Sequence, residues 1–187
     1  MVKKNACVFI SGSGTNLRSL IKNSRNYNFP IKISMVVSNN IKAKGIEYAK
    51  KFAIPFICLN ANKSKFENII LNRLKEKKIK LICLAGFMKI LSKNFVRRFK
   101  GQIINIHPSL LPKYKGLNTF ERVLKTNDKT TGCTVHLVDE KLDNGKIIIQ
   151  RRVQIYNNDN VKSLKKKVQF EEYKAYSYAI HKLYKLN

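Results

Sequence analysis

The sequence predicts an α/β domain on a doubly wound, mostly parallel sheet, closed by an antiparallel pair and a long final helix. Three observations carry that expectation. Through the first half of the chain, short apolar, β-branched runs alternate with segments whose apolar residues recur at helical spacing. The runs are apolar on both faces, as strands covered by helices on each side must be. Beyond residue 125 the alternation stops, and two apolar runs flank a loop ending in Asn144-Gly145. That dipeptide favours a turn with positive φ, and so a hairpin-like pair.

Residues 6–10 are the first strand, followed by Ser11-Gly12-Ser13-Gly14-Thr15-Asn16 and then by Leu17, Leu20 and Ile21 at helical spacing. Strand, glycine-rich turn and helix is the arrangement in which backbone N–H groups and a helix N-terminus cradle a phosphate. A tight turn from strand to helix asks for the same residues without any ligand. Gly12 and Gly14 would let the backbone approach an anion, and Thr15 or Asn16 would cap the helix and add donors. The loop is neither a dinucleotide fingerprint nor a Walker loop, lacking the third glycine of one and the Gly-Lys-Ser/Thr of the other.

Residues 31–37 form a second strand with Ser38-Asn39-Asn40 as its exit loop. Residues 42–52 read as a helix with Ala43, Ile46 and Ala49 on one side, and residues 55–59 as a third strand. Ser64 is placed to cap a helix carrying Phe66, Ile69, Ile70 and Leu74. Residues 81–84 are a fourth, wholly apolar strand, which runs into Ala85-Gly86-Phe87-Met88-Lys89-Ile90-Leu91. A short helix over 94–99 follows.

The next strand is the pivot of the chain: Gln102-Ile103-Ile104-Asn105-Ile106-His107, stopped by Pro108, which cannot donate to a sheet ladder. Side chains alternate along a strand, so Asn105 and His107 share one face while Ile104 and Ile106 share the other. An amide and an imidazole thus sit together at the carboxyl end of an apolar strand, the end at which open α/β sheets bind ligands. A hydrogen-bonded polar pair at a strand exit is the alternative.

After Pro112, residues 113–116 form a loop and 119–125 a helix. Strands at 131–138 and 146–150 flank the loop 139–145, with Asp143 at its tip, where an aspartate is commonly a turn-former. Residues 161–184 close the chain as a lysine-rich helix with Leu164, Val168, Tyr176 and Ile180 among its apolar positions. Its charge reads as a solvated face.

The 187 residues suit one domain with a real core. Net charge is +27, from 38 Lys+Arg against 11 Asp+Glu, which invites a nucleic-acid reading. The lysines, however, are spread along the chain among many Asn and Ile, a pattern of compositional drift that also attracts small anionic substrates. Cys7, Cys58, Cys83 and Cys133 have no metal-ligand spacing and read as reduced thiols of a cytoplasmic protein. No stretch approaches the roughly 18 apolar residues of a membrane span, and no signal peptide is expected.

In four stretches the sequence resembles the glycinamide ribonucleotide (GAR) formyltransferases of purine synthesis, over nearly its whole length. They are Ser11-Gly12-Ser13-Gly14-Thr15-Asn16, Ala85-Gly86-Phe87-Met88, Asn105-Ile106-His107-Pro108-Ser109-Leu110-Leu111-Pro112 and residues 139–145, in that order. The third belongs to folate formyl transferases as a group, and the glycine loop narrows the match to the GAR enzymes. The resemblance implies a Rossmann-like fold and 10-formyltetrahydrofolate as one-carbon donor, with no metal. It implies Asn105, His107 and Asp143 as catalytic residues, the amide and imidazole donating to the developing oxyanion. A carboxylate beside an imidazole favours its proton-donating form, and the proton would reach N10 of the folate through an ordered water near Asp143. No covalent enzyme intermediate is required.

By the same matching, Gly14, Thr15 and Asn16 would bind the GAR phosphate, with Gln169 and Glu172 contacting GAR. Met88, Lys89, Ile90, Leu91 and Asn105 would contact folate, and Lys63 its glutamate tail. His136 would support Asp143, or be a satisfied core histidine. The expected organisation is one domain over 1–187, with 1–100 mainly holding the GAR phosphate and 101–187 mainly catalysis and folate. A monomer or weak homodimer is expected, with no specific nucleic-acid partner.

Lys89 stands where the family usually has arginine, losing a planar fork. Lys115 and Lys146 replace common prolines, and Asn118 and Phe120 replace polar or histidine positions. The final strand segment of many relatives is not expected within these residues. Methionyl-tRNA formyltransferase shares the catalytic trio but adds a tRNA-binding domain, and formyltetrahydrofolate deformylase adds a regulatory domain; neither addition is expected here.

Overall fold

A computed structural model describes residues 2–59 and 63–184, without the side chain of Lys63. Seven strands form one mixed sheet in the order β3-β2-β1-β4-β5-β6-β7. They are β1 (Lys4–Ile10), β2 (Ile31–Ser38), β3 (Phe56–Cys58), β4 (Leu81–Leu84), β5 (Gln102–His107), β6 (Thr130–Leu137) and β7 (Ile147–Gln154). The predicted α/β class, its parallel first half and the antiparallel pair at the end are all present. The chain divides into two compact units, one ending at Ile104 and the other beginning at Asn105.

In the first unit β1 lies between β2 and β4 and is parallel to both. Residues 6–10 of β1 are completely buried, as the central strand of a doubly wound sheet must be. The chain order reverses on either side of β1, so the carboxyl ends of β1 and β4 mark the topological switch point at which such sheets bind ligands. Helix α1 (Thr15–Ser24) covers the sheet with Leu17, Leu20 and Ile21. Each such burial contributes about 1.5–3 kcal/mol.

Three local expectations fail here. Neither Thr15 nor Asn16 caps α1: the N-cap is Gly14, left-handed at φ 70, with no side-chain cap hydrogen bond. Helix α2 (Ile46–Lys51) begins four residues later than its apolar spacing suggests. Residues before it make turns that bring Gly45 against Gly14, and the Gly45 N–H donates to the Gly12 carbonyl at 3.0 Å. Ser64 lies inside α3 (Lys63–Glu76) and does not precede it. Helix α4 (Lys93–Arg98) starts at Ser92, whose hydroxyl accepts from the Phe95 N–H.

In the second unit β6 and β7 pair antiparallel, with a register irregularity between Val135 and His136. Such an irregularity re-aims the side chains beside it. Helix α5 (Thr119–Leu124) precedes the pair, and α6 (Val161–Leu183) packs on both strands through Leu164, Val168, Ala175, Tyr176, Ala179 and Ile180. Asn160 and Ser163 form a reciprocal capping box at its start, both bonds 3.0 Å. The expected positive φ of the Asn144-Gly145 turn falls one residue earlier, on Asp143 at φ 46. Gly145 is required for another reason: a Cβ there would lie 1.8 Å from the Leu137 carbonyl oxygen.

Candidate active site

Alternation along β5 puts Asn105 and His107 on one face, and the loop between β6 and β7 brings Asp143 to both. Asn105 Nδ2 donates to Asp143 Oδ1 at 3.4 Å, and His107 Nδ1 lies 3.4 Å from Asp143 Oδ2. The His107 and Asp143 side chains are only 7% and 6% exposed, so their interaction is little screened by water.

His136 joins them from β6. Its Nδ1 lies 2.8 Å from the Leu137 carbonyl oxygen, an acceptor only, so Nδ1 carries the proton. Burial, the largest influence, holds its pKa below the ordinary 6.5 despite the raising effects of the Leu137 carbonyl and Asp143. The ring is therefore neutral at pH 7, and Nε2 is a bare acceptor 3.3 Å from Asn105 Nδ2. Its 3.8 Å approach to Asp143 Oδ1 is consequently no ion pair. His136 fixes which way the Asn105 amide faces.

Two backbone groups hold the acid–base pair in place. The Tyr114 carbonyl accepts from His107 Nε2 at 2.8 Å, which assigns a proton to that nitrogen. The Gly116 N–H donates to Asp143 Oδ2 at 2.9 Å. Neither residue is prominent in sequence, because every residue carries these groups. His107 Nδ1 faces Asp143 Oδ2. That nitrogen, held by the longer contact, is the one able to turn to a ligand.

In the first unit, Gly12 and Ser13 of the loop after β1 are exposed, whereas Gly14 is buried against Gly45. Thr15 and Asn16 open α1, with Asn16 largely buried. Ser11 stitches this loop to the one after β4: its N–H donates to the Gly86 carbonyl at 3.2 Å, and its hydroxyl accepts from the Met88 N–H at 2.8 Å. Beyond that tie, Met88 and Ile90 are 67% and 64% exposed, Lys89 and Leu91 half-buried. The Lys89 ammonium lies 5.5 Å from the centre of the Phe66 ring.

Gln169 and Glu172 lie on α6, Gln169 half-buried and Glu172 buried. The Lys63 side chain lies outside the described residues. Among the described residues no group of three or more His, Cys, Asp or Glu could hold a metal ion, and no helix is long and apolar enough to cross a membrane.

The chain matches the formyl transferase family over residues 4–180. It is 41% identical over 181 residues to the phosphoribosylglycinamide formyltransferase of Haemophilus influenzae, covering 95% of this chain and 85% of that protein. It is 42% identical over 184 residues to the trifunctional purine biosynthetic protein adenosine-3 of Chironomus tentans, covering 95% of this chain but spanning only 13% of that protein. The crystal structure of phosphoribosylglycinamide formyltransferase from Bacillus halodurans superposes with a TM-score of 0.92 at 35% identity, covering 97% of this chain and 96% of that one.

Proposed function

The chain belongs to the formyl transferase family, among its phosphoribosylglycinamide formyltransferases, and on that premise we propose that it transfers a formyl group from 10-formyltetrahydrofolate to the amine of GAR. The observation that carries this reading is the convergence of Asn105, His107 and Asp143 within 3.4 Å contacts, oriented by His136. The donor, when bound, supplies an activated formyl carbon on N10. Atoms balance without any other reactant: the attacking amine loses one proton and N10 gains one.

The residues of this chain divide that work. Asn105 has two amide N–H bonds and only long contacts to His136 and Asp143, so one can donate to the oxyanion. His107 acts through Nδ1, since Nε2 is committed to the Tyr114 carbonyl. Its proton, backed by Asp143, stabilises the same charge and is the source of the proton N10 requires, relayed by a water on Asp143. Gly12, Gly14, Thr15 and Asn16 hold the phosphate at the start of α1, where the backbone dipole favours an anion. Exposed Met88 and Ile90 offer apolar surface to the folate ring, and Lys89 a positive charge. Gln169 and Glu172 contact GAR, Glu172 through the ribose hydroxyls, and Lys63 meets the glutamate tail. The protein works in the cytoplasm as a monomer or weak homodimer.

The test is formyl transfer by wild type and Asp143→Asn. GAR-dependent turnover that falls about 10²–10⁴-fold in the variant is expected. Donor consumption without GAR, or no turnover by folded wild type, overturns the assignment.

A further inference from the structure

We propose that Asp128, outside the acid–base cluster, is a positioning residue for His107, acting through Tyr114. Residues 114–116 touch both members of the catalytic pair by backbone alone: the Tyr114 carbonyl holds His107 Nε2 at 2.8 Å, and the Gly116 N–H holds Asp143 Oδ2 at 2.9 Å. This segment does not hold that shape unaided. Tyr114 sits at φ 57, a left-handed conformation that bulky side chains disfavour.

Side-chain contacts supply the restraint, and they converge on one carboxylate. The Tyr114 hydroxyl donates to Asp128 Oδ2 at 2.8 Å, and Lys113 Nζ donates to both Asp128 oxygens, at 3.0 and 2.9 Å. Two consecutive residues therefore grip one group, immediately before the strained carbonyl. Thr126 Oγ1 lies 2.9 Å from the same hydroxyl, and the Arg122 guanidinium lies 5.6 Å from the centre of the Tyr114 ring. On the opposite flank, the fully buried Ser109 donates to the Lys113 carbonyl at 2.6 Å. Hydrogen bonds from Lys113 and then Tyr114 keep the Asp128 carboxyl below its ordinary pKa, so the anchor stays charged at neutral pH.

The consequence concerns which way the His107 ring is held. With the Tyr114 carbonyl gripping Nε2, Nδ1 faces Asp143 and is the nitrogen left for the reaction. Without that acceptor the ring is free to turn, and the fraction presenting Nδ1 to Asp143 and the substrate falls. The inference rests on the proposed role of His107, but one arm of its test does not require turnover.

The experiment compares wild type, Asp128→Asn and Tyr114→Phe, each checked for folding by circular dichroism. Nitrogen NMR of labelled histidine should show the His107 Nε2–H signal displaced by its carbonyl acceptor in wild type, and that displacement lost in both variants. In formyl transfer, kcat should fall roughly 10- to 100-fold, the scale of a small misplacement of a catalytic group, with KM for GAR and folate within about twofold. The double variant should lose no more than the worse single one. If Asp128→Asn does not fold, Tyr114→Phe alone decides the matter. An unchanged His107 nitrogen signature in a folded variant overturns the proposal, even if melting temperature falls. A shifted signature with no GAR-dependent turnover in wild type would leave the anchoring role intact and sink the proposed function instead.

Discussion

Gly12 and Gly14 look equivalent in the loop after β1, yet the structure assigns them different jobs, and substitution by alanine separates them. At Gly14 a Cβ would lie 2.4 Å from the Cα of Gly45, and the backbone sits at φ 70. Left-handed backbone costs an alanine about 1–2 kcal/mol. The clash adds overpacking of about 1–3 kcal/mol, because the opposing atom is backbone and cannot rotate away. Gly14→Ala should therefore lose about 2–5 kcal/mol, a large part of the 5–15 kcal/mol typical of a domain. At about 2–4 °C per kcal/mol for a chain of this size, the melting temperature should drop by roughly 4–20 °C. At Gly12 a Cβ would meet nothing within 4 Å, so Gly12→Ala should leave stability within about 1 kcal/mol of wild type. If that opening admits the GAR phosphate, the same change should raise KM for GAR several-fold. Urea denaturation and steady-state kinetics on both variants make the assay. A Gly14→Ala protein as stable as wild type would refute the packing argument. An unstable Gly12→Ala would show that the space at Gly12 is not open.

Two further expectations concern ionisation. Burial keeps His136 neutral in the folded state, below the 6.5 of a free imidazole, whereas the unfolded chain binds its proton readily. The unfolded state then holds more protons as pH falls below about 6.5, so the contribution of neutral His136 is complete above that pH and erodes beneath it. His136→Gln keeps an acceptor for Asn105 without the titration and should show a flatter loss of stability between about pH 7 and 5; parallel pH profiles would contradict this. Burial first, then the charges of Glu172 and Glu171, push the Cys133 thiol up to about 12. Iodoacetamide at pH 8 should spare Cys133 and the fully buried Cys7 in native protein, with Cys58, the half-buried one, reacting first. Peptide mass spectrometry that finds Cys133 alkylated alongside Cys58 before unfolding would count against it.

What the sequence by itself determined follows from spacing along the chain. The alternation of apolar runs with helical segments is a short-range pattern, and it yields the doubly wound half. The two-residue period of a strand was enough to put Asn105 and His107 on one face. Asp143 could be connected with them only through family resemblance, since nothing local separates a catalytic aspartate from a turn-former. Tertiary structure decided the rest. That Gly14 packs against Gly45, which nitrogen of His107 is committed, and how the Asn105 amide faces all depend on groups far apart in sequence. Several of those groups are backbone carbonyls and N–H groups, present at every residue and invisible to composition. The positive φ fell on Asp143 and not on the Asn144-Gly145 pair, and what requires a glycine at 145 is the close approach of the Leu137 carbonyl across the loop. Periodicity records which face of an element is buried, whereas the chemistry of this site depends on which backbone atoms approach it from other elements.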